Sequence, residues 1–504
     1  MSYVAKTRLM ALLLTFMLAV IFLLLFMITG TRRPHIDAAR EFTEPQTTPY
    51  IYTYLYDDPT PSPMPSLEPS PEPFYYEEYE EYDDYEEYYE PLIPRWSEGE
   101  AFLLDHLLCD FDYLMFTLRH NFPLFGPAYR RFGLDVNALE AQTRQAIIDS
   151  NTTDPQTFSN ILAYRFFRHF GGFGHLYQNW YNRIHLIMAN IYRYSTDDEG
   201  NILYQYSQLM HDIFTSPEAR RFYGEIIVDL GAYEHGMIIP NNVQTRIITP
   251  GEVAYVSIRQ FNHYNIPHDQ EIIHAFFEDI AGFSHLIVDL RYNPGGFMSY
   301  FYEIFVEPNI IEPLEWREFE FFPRARNNMI YATAFVADWA SFGEYDSQLD
   351  IYGDFAAEPI TIENAAGVIT RYNMRYFNQD DLEMLDNVVV WRHQILPASN
   401  ERMFDGKIWV LVGPRSQSAT EAVSIFIRET GFATLVGEPT GGIMGGMSAY
   451  VLLPNSGIVV RYDLGLMTDP NGRSYEEFGV QPHYFNRAGM DALDTVLALI
   501  REGY

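Results

Sequence analysis

Residues 406–426, GKIWVLVGPRSQSATEAVSIF, carry the chain from an apolar run into a helix through a short polar turn. The apolar run predicts a buried strand, and Glu421, Ala422 and Ile425 have the spacing of a helix start. A hydroxyl at such a junction stands beside backbone N–H groups that have no intrahelical partner. Ser418 is therefore suited to cap the helix or to act as a nucleophile beside an oxyanion site, and the segment itself does not decide between the two.

Four further apolar runs of strand length occur after residue 250, with helical patterns between some of them. They read AYVSI (254–258), HLIVDL (285–290), ATLVG (433–437) and AYVLL (449–453). Short runs rich in Val, Ile and Leu that alternate with helices predict an α/β layer structure whose strands are buried on both faces.

Glycine-rich loops follow two of these runs, with Pro-Gly-Gly at 294–296 and GEPTGG at 437–442. Each loop alone is explained by a tight turn. The carboxyl ends of parallel strands, however, meet at one edge of a sheet. We therefore expect both loops and the Ser418 turn to converge there.

Residues 96–250 have the composition of a second, mainly helical unit. AFLLDHLLCDFDYLMFTLRHNF (101–122) has apolar residues at helical spacing, and further amphipathic patterns begin near Leu134 and Asp154. The predicted domains are therefore a helical unit at 96–250 and an α/β core at 251–504.

The first 95 residues differ from the rest of the chain. Residues 11–28 are an uncharged apolar run long enough to cross a bilayer, and no small-residue cleavage site follows them, so 1–34 is predicted to be a transmembrane anchor. Residues 35–95 are proline-rich and then acidic, with only Asp, Glu and Tyr at 77–90, and are predicted to be a disordered stalk. This stalk either holds the folded part off the membrane or recruits a basic partner. These features lead to the hypothesis that the chain is a single-pass cell-membrane protein whose folded part is extracytoplasmic.

Charge and residue counts exclude several functions. A formal net charge of −35 argues against nucleic acid or an anionic membrane surface as a partner. Cys109 is the single cysteine, which excludes an intrachain disulfide and a cysteine-based zinc site. The chain has two lysines, Lys6 in the apolar leader and Lys407 at the far end of the strand that leads to Ser418. Because neither lysine is expected near Ser418, a lysine base for a serine nucleophile is excluded.

Four motifs stand in a characteristic order: DLRYNPGG (289–296), SQSATEA (416–422), LVGEPTGG (435–442) and YEEFGVQPH (475–483). Together they resemble the C-terminal-processing (tail-specific) protease family and its tricorn-core branch. The resemblance covers roughly residues 250–485 and implies a crotonase-like α/β protease core with Ser418 as the nucleophile. It further implies a serine endopeptidase that acts on peptide or protein substrates through an acyl-enzyme, without a metal or cofactor. It leaves the oligomeric state open.

The resemblance also indicates the other site residues. Members of the family that lack a lysine base use Ser, His and Glu, and the turn GGFGHLYQ (171–178) is similar to their histidine turn, which gives His175 the role of base. Glu476 matches the carboxylate that orients the imidazole.

The oxyanion donors implied by the resemblance are the backbone N–H groups of Ala419 and of Gly295 or Gly296.

Two departures from the family pattern keep a second hypothesis open. Phe173 stands where the family often has Asp, and the closing motif ends in Pro482-His483 where Pro-Asp is usual. The alternative is a catalytically inactive relative that binds peptides or envelope proteins through the same cleft. Residues 176–250 lack the glycine-rich carboxylate-binding loop of a PDZ-like module, so capture of a free C terminus by such a module is not expected.

Overall fold

The computed structural model of the protein describes residue 96 and residues 100–197, 200–225, 238–345 and 361–504. The predicted membrane anchor at 1–34 lies outside these residues, as does the predicted stalk at 35–95. Among the described residues, no helix is long and apolar enough to cross a membrane.

Helices make up most of the chain up to Tyr223. They are α1 (Leu104–Asn121), α2 (Phe125–Phe132), α3 (Val136–Ser150), α4 (Pro155–Ile161), α5 (Tyr181–Tyr194), α6 (Gln205–Thr215) and α7 (Pro217–Tyr223). Two of the predicted starts are capped by acids, because the carboxylates of Asp135 and Asp154 accept hydrogen bonds from the first backbone N–H groups of α3 and α4. The helical pattern predicted for this part of the sequence is thus present in the structure.

The later helices and the strands complete the element order. The helices are α8 (Ile266–Asp279), α9 (Met298–Phe301), α10 (Arg326–Tyr345), α11 (Ala365–Tyr372), α12 (Ala419–Thr430), α13 (Tyr475–Phe478) and α14 (Ala492–Arg501). The strands are β1 (Tyr177–Gln178), β2 (Val243–Thr249), β3 (Val253–Ile258), β4 (His285–Asp289), β5 (Leu314–Phe322), β6 (Ile362–Asn364), β7 (Asn387–Ile395), β8 (Lys407–Val412), β9 (Thr434–Gly437), β10 (Ser448–Leu452), β11 (Val459–Asp463), β12 (Leu466–Thr468) and β13 (Tyr484–Phe485).

A six-stranded mixed sheet carries the predicted α/β layer, with strand order β13-β9-β8-β4-β3-β2. Strands β3, β4, β8, β9 and β13 run parallel to one another, and the edge strand β2 is antiparallel to β3. Alternate residues of the central strands are buried on opposite faces: Ile287 packs in the cluster that includes α14, while Leu286 and Val288 belong to the main core. Burial on both faces explains why these strands read as continuous apolar runs.

Two smaller antiparallel sheets lie beside this layer, with strand orders β1-β11-β10 and β12-β5-β7-β6. The run at 449–453 was expected to join the α/β layer, and this expectation was wrong. It forms β10, which pairs with β11 in the three-stranded sheet. Local hydrophobicity identified the strand but not the sheet it joins, because that choice depends on a partner strand elsewhere in the chain.

Candidate active site

Ser418 occupies a strained turn between β8 and α12. Its backbone has φ 53° and ψ −123°, a conformation that non-glycine residues rarely adopt. Its N–H donates to the carbonyl oxygen of Ile443 at 2.7 Å, and its hydroxyl makes no capping hydrogen bond within the described part of the chain. The capping role that the sequence left open is therefore not adopted. The turn instead resembles a nucleophile elbow, where strain exposes a serine hydroxyl at the end of a strand.

This strain gives a stability prediction. Replacing Ser418 with glycine should make the protein more stable than replacing it with alanine, by about 1 kcal/mol, because glycine adopts positive φ without a steric cost. Thermal or denaturant unfolding of the two variants measures the difference. Equal stability of the two variants would show that the turn stores no strain.

The loop after β4 contacts this turn directly. A Cβ atom built on Gly295 would lie 2.8 Å from the Cβ of Ser418 and 2.7 Å from the backbone N of Ala419. The buried Asn293 side chain connects the two segments, because its Oδ1 accepts hydrogen bonds from Gly295 N and from Thr420 Oγ1, each at 2.9 Å. The predicted convergence of this loop with the Ser418 turn is thus seen in the structure.

The hydrogen bonds around Gly295 and Gly296 show which of the two N–H groups suits an oxyanion site. The Gly295 N–H already donates to Asn293. Phe261 and Gly296 form a parallel β-bridge, in which the Phe261 N–H donates to Gly295 O and the Phe297 N–H donates to Phe261 O. In such a bridge the N–H of the opposite residue, Gly296, points away from Phe261. Ala419 N is at the first helical position, where no intrahelical acceptor exists. The pair Ala419 and Gly296 therefore fits an oxyanion site better than a pair that includes Gly295.

Hydrogen bonds hold the loop after β9 against the Ser418 turn. Its Gly441 N–H donates to Ser416 O at 2.9 Å, and its Ile443 N–H donates to the buried carboxylate of Glu421 at 3.1 Å. Thr440 Oγ1 also hydrogen-bonds this carboxylate. Burial raises the pKa of Glu421 to about 7. Glu421 thus serves as the anchor that holds this loop against Ser418.

His175 lies in a short 3₁₀ turn, Phe173–His175, and is brought to the same loop. Its side chain is 10% exposed, and its backbone has φ 41°. A Cβ built on Gly445 would lie 2.7 Å from His175 Nδ1, so the ring packs directly on this glycine. Gly445 is two residues beyond Ile443, which accepts the Ser418 N–H. One loop therefore contacts both the predicted nucleophile and the predicted base.

The carboxylate bonded to the imidazole is that of Asp463. His175 Nδ1 and Asp463 Oδ2 are 2.7 Å apart, and the Asp463 side chain is 2% exposed. With the Nδ1 proton held by this carboxylate, Nε2 is the ring nitrogen that can accept a proton. Burial lowers the pKa of His175, and the nearby Asp463 charge opposes this effect only in part. The ring is consequently neutral near pH 7, as a general base must be.

Glu476 is buried close by but makes other contacts. Its two carboxylate oxygens lie 3.0 and 3.1 Å from Met467 N, and Ser474 Oγ donates to one of them at 3.2 Å. Burial raises the pKa of Glu476 to about 8, and the charge of Asp463 adds to the effect. The orienting contact that the resemblance assigns to Glu476 is thus made by Asp463.

Asp463 was not identified in the sequence, and no local signal singles it out. It ends an apolar strand, IVVRYD (458–463), where an acidic residue reads as the polar end of the strand. Asn293 and Glu421 lie within quoted motifs, but their anchoring roles depend on loops that meet only in the folded chain. In the part of the chain that the structure describes, no cluster of three or more His, Cys, Asp or Glu side chains could hold a metal ion.

One family model covers the residues that contain the four motifs. The sequence model described as peptidase family S41 matches residues 252–485. Mature CPAF complexed with lactacystin is 14% identical, with a TM-score of 0.45 over 79% of this chain and 97% of that one. The photosystem II D1 C-terminal processing protease is 15% identical, with a TM-score of 0.29 over 50% of each chain. Tricorn protease is 16% identical, with a TM-score of 0.22 over 50% of this chain and 18% of that one. No curated protein sequence matches the chain significantly.

Proposed function

We propose that the chain is a serine endopeptidase of peptidase family S41, whose sequence model matches residues 252–485, and that it acts through an acyl-enzyme on Ser418. The observation that carries this proposal is the loop at 441–447, which binds the Ser418 N–H through Ile443 and packs on His175 through Gly445. We also propose that the α/β core at 251–504 has a crotonase-like fold.

The proposed reaction follows from the groups that surround Ser418. His175 Nε2 takes the hydroxyl proton while Ser418 Oγ attacks the carbonyl carbon of the substrate peptide bond. The oxyanion that forms accepts hydrogen bonds from the N–H groups of Ala419 and Gly296. The imidazolium then gives its proton to the departing amine, which leaves an ester on Ser418. His175 next removes a proton from water while the water oxygen attacks the ester carbonyl. The bond between the acyl carbon and Ser418 Oγ then breaks, and the imidazolium returns its proton to Oγ, which releases the second product and restores the enzyme.

A fluorophosphonate probe tests this proposal on the full-length protein in detergent. We expect the wild type to be labelled and Ser418→Ala to remain unlabelled. Trypsin cleavage after Arg415 and Arg428 yields a peptide that also contains Ser416 and Ser424, so fragment ions must place the adduct. Equal labelling of wild type and Ser418→Ala would show that Ser418 is not the nucleophile. A wild type that binds peptides without labelling or hydrolysis would instead support the inactive binding protein.

The proposal includes membrane attachment through residues 11–28, with the folded part outside the cytoplasm. The length and apolarity of this run support it. In cells, the full-length protein should stay with the membrane fraction after alkaline carbonate washing and be digested by protease added outside intact cells. Leu18→Arg combined with Phe22→Arg should release it, because charges at the centre of a span oppose insertion. A wild-type protein recovered in the soluble fraction would contradict the attachment.

A further inference from the structure

We infer that Asp463, and not Glu476, is the carboxylate that positions His175 for proton transfer. This inference rests on the proposed function, because it assigns a role to a residue that acts through the proposed base. It concerns a positioning residue: Asp463 contacts the imidazole on the side opposite to Nε2, which is the nitrogen that receives the proton.

Strand pairing places Asp463 at the imidazole. Strand β1 is antiparallel to β11, with Tyr177 opposite Arg461 and Gln178 opposite Val460. His175 lies two residues before Tyr177 and Asp463 two residues after Arg461, so this pairing brings the two residues to the same end of the short ladder. The contact between the helical part of the chain and the β10–β11 hairpin is therefore set by backbone hydrogen bonds, which hold the two side chains in a fixed geometry.

The second oxygen of Asp463 is held by its own partners. Asp463 Oδ1 accepts a hydrogen bond from Ser448 Oγ at 3.1 Å, and Ser448 is the residue opposite Asp463 in the β10–β11 pairing. Arg461 Nη2 lies 4.0 Å from the same oxygen and donates to Ser448 Oγ at 2.8 Å. Arg461 also donates to Tyr177 Oη at 3.1 Å. This network fixes the carboxylate plane and places the Arg461 guanidinium beside it.

The other buried carboxylates nearby are used elsewhere. Glu476 accepts the Met467 N–H with both oxygens. Glu320 accepts Trp391 Nε1 at 2.9 Å and the Met447 N–H at 2.7 Å, so it holds the end of the 441–447 loop. Burial raises the pKa of each of these two glutamates to about 8, which leaves them largely uncharged at neutral pH. An uncharged acid stabilises an imidazolium poorly, and Asp463 is the carboxylate in direct contact with the ring, with Oδ2 2.7 Å from His175 Nδ1.

The matched variants Asp463→Asn and Glu476→Gln separate the two assignments, because each replaces a carboxylate with an amide of the same shape. At Asp463, an amide NH₂ facing Nδ1 favours the tautomer that is protonated at Nε2, and this tautomer cannot act as the base. We expect kcat to fall on the order of 10²- to 10⁴-fold for Asp463→Asn. For Glu476→Gln we expect a change below about tenfold, since its partners, Met467 N–H and Ser474 Oγ, can also bond an amide.

The pH profile of kcat/KM distinguishes positioning from a general structural effect. The charged or titratable groups around His175 are Asp463, Arg461, Arg183 and Tyr177, whose ring lies edge-on to the imidazole. Of these, the Asp463 carboxylate raises the pKa of the imidazole, so its loss should move the acidic limb of the profile to lower pH. A loss of packing alone would lower the rate without moving the limb.

Several outcomes are decisive. Activity of Asp463→Asn close to that of the wild type, together with a loss above about 100-fold in Glu476→Gln, would overturn the inference in favour of Glu476. If Asp463→Asn does not fold by circular dichroism, Ser448→Ala removes the hydrogen bond to Asp463 Oδ1, and an unchanged kcat in that variant would also overturn it. Fluorophosphonate labelling of Ser418→Ala equal to that of the wild type would instead refute the proposed function itself.

Discussion

Replacing His175 with alanine is expected to lower kcat for peptide hydrolysis on the order of 10⁴-fold or more, with KM changed only a few-fold. A serine hydroxyl is a weak nucleophile at neutral pH and requires an adjacent proton acceptor. Lysine cannot replace the histidine, because Lys407 begins β8, whereas Ser418 follows the end of that strand, and the Lys407 ammonium lies 4.1 Å from the centre of the Trp409 ring. Steady-state hydrolysis of a fluorogenic peptide by the full-length protein measures the loss.

Two comparisons make this result specific. His169→Ala, in the exposed segment just before the same turn, should stay within about twofold of the wild type. The double variant His175→Ala with Ser418→Ala should be no slower than the slower single variant, because residues that act as one unit do not contribute additively. Since burial lowers the pKa of His175, the wild-type acidic limb should lie below pH 6.5. A limb above that pH, or additive losses, would contradict the role of His175 as base.

The sequence predicted the elements whose signals are local. The four central strands of the mixed sheet, β3, β4, β8 and β9, were readable because burial on both faces leaves continuous apolar runs. The turn at Ser418 was readable because hydroxyl residues directly precede a helix. His175 was located only through the resemblance of its turn to a family motif, since a single histidine among fourteen carries no spacing signal.

Contacts between distant segments could not be predicted in the same way. The partner of His175 depends on the pairing of β1 with β11, which are nearly 300 residues apart in sequence. The two residues of β1 carry no recognisable strand pattern, so neither this pairing nor the position of β10 outside the α/β layer was evident. Glu476 was assigned by its motif, whereas the register of the small sheet brings Asp463 to the ring. The site chemistry thus depends on tertiary register as well as on motif identity.

Replacing Gly296 with alanine is expected to lower kcat about 10²- to 10³-fold, which corresponds to about 2.7–4 kcal/mol of transition-state stabilisation. Gly296 has φ 135°, a conformation that is strained for any residue with a Cβ, and the added Cβ would overlap the carbonyl oxygen of Phe261. The 295–297 backbone must therefore move, and its N–H leaves the position from which it can bind an oxyanion. Because the developing oxyanion gains most from this donor in the transition state, KM should change much less than kcat.

Gly413→Ala provides the matched control. Gly413 also lies at the carboxyl end of a central strand, next to the same site, but a Cβ there would meet no atom within 4 Å and its φ is not positive. This variant should retain kcat within about twofold. Fluorophosphonate labelling adds a second measurement, since the phosphonyl oxygen occupies the oxyanion position and labelling of Gly296→Ala should slow together with kcat. If Gly296→Ala folds as stably as the wild type and keeps its kcat, the second donor must be a group other than the Gly296 N–H. The hydrogen bond from Gly295 to Asn293 would then have to break during the reaction to supply it.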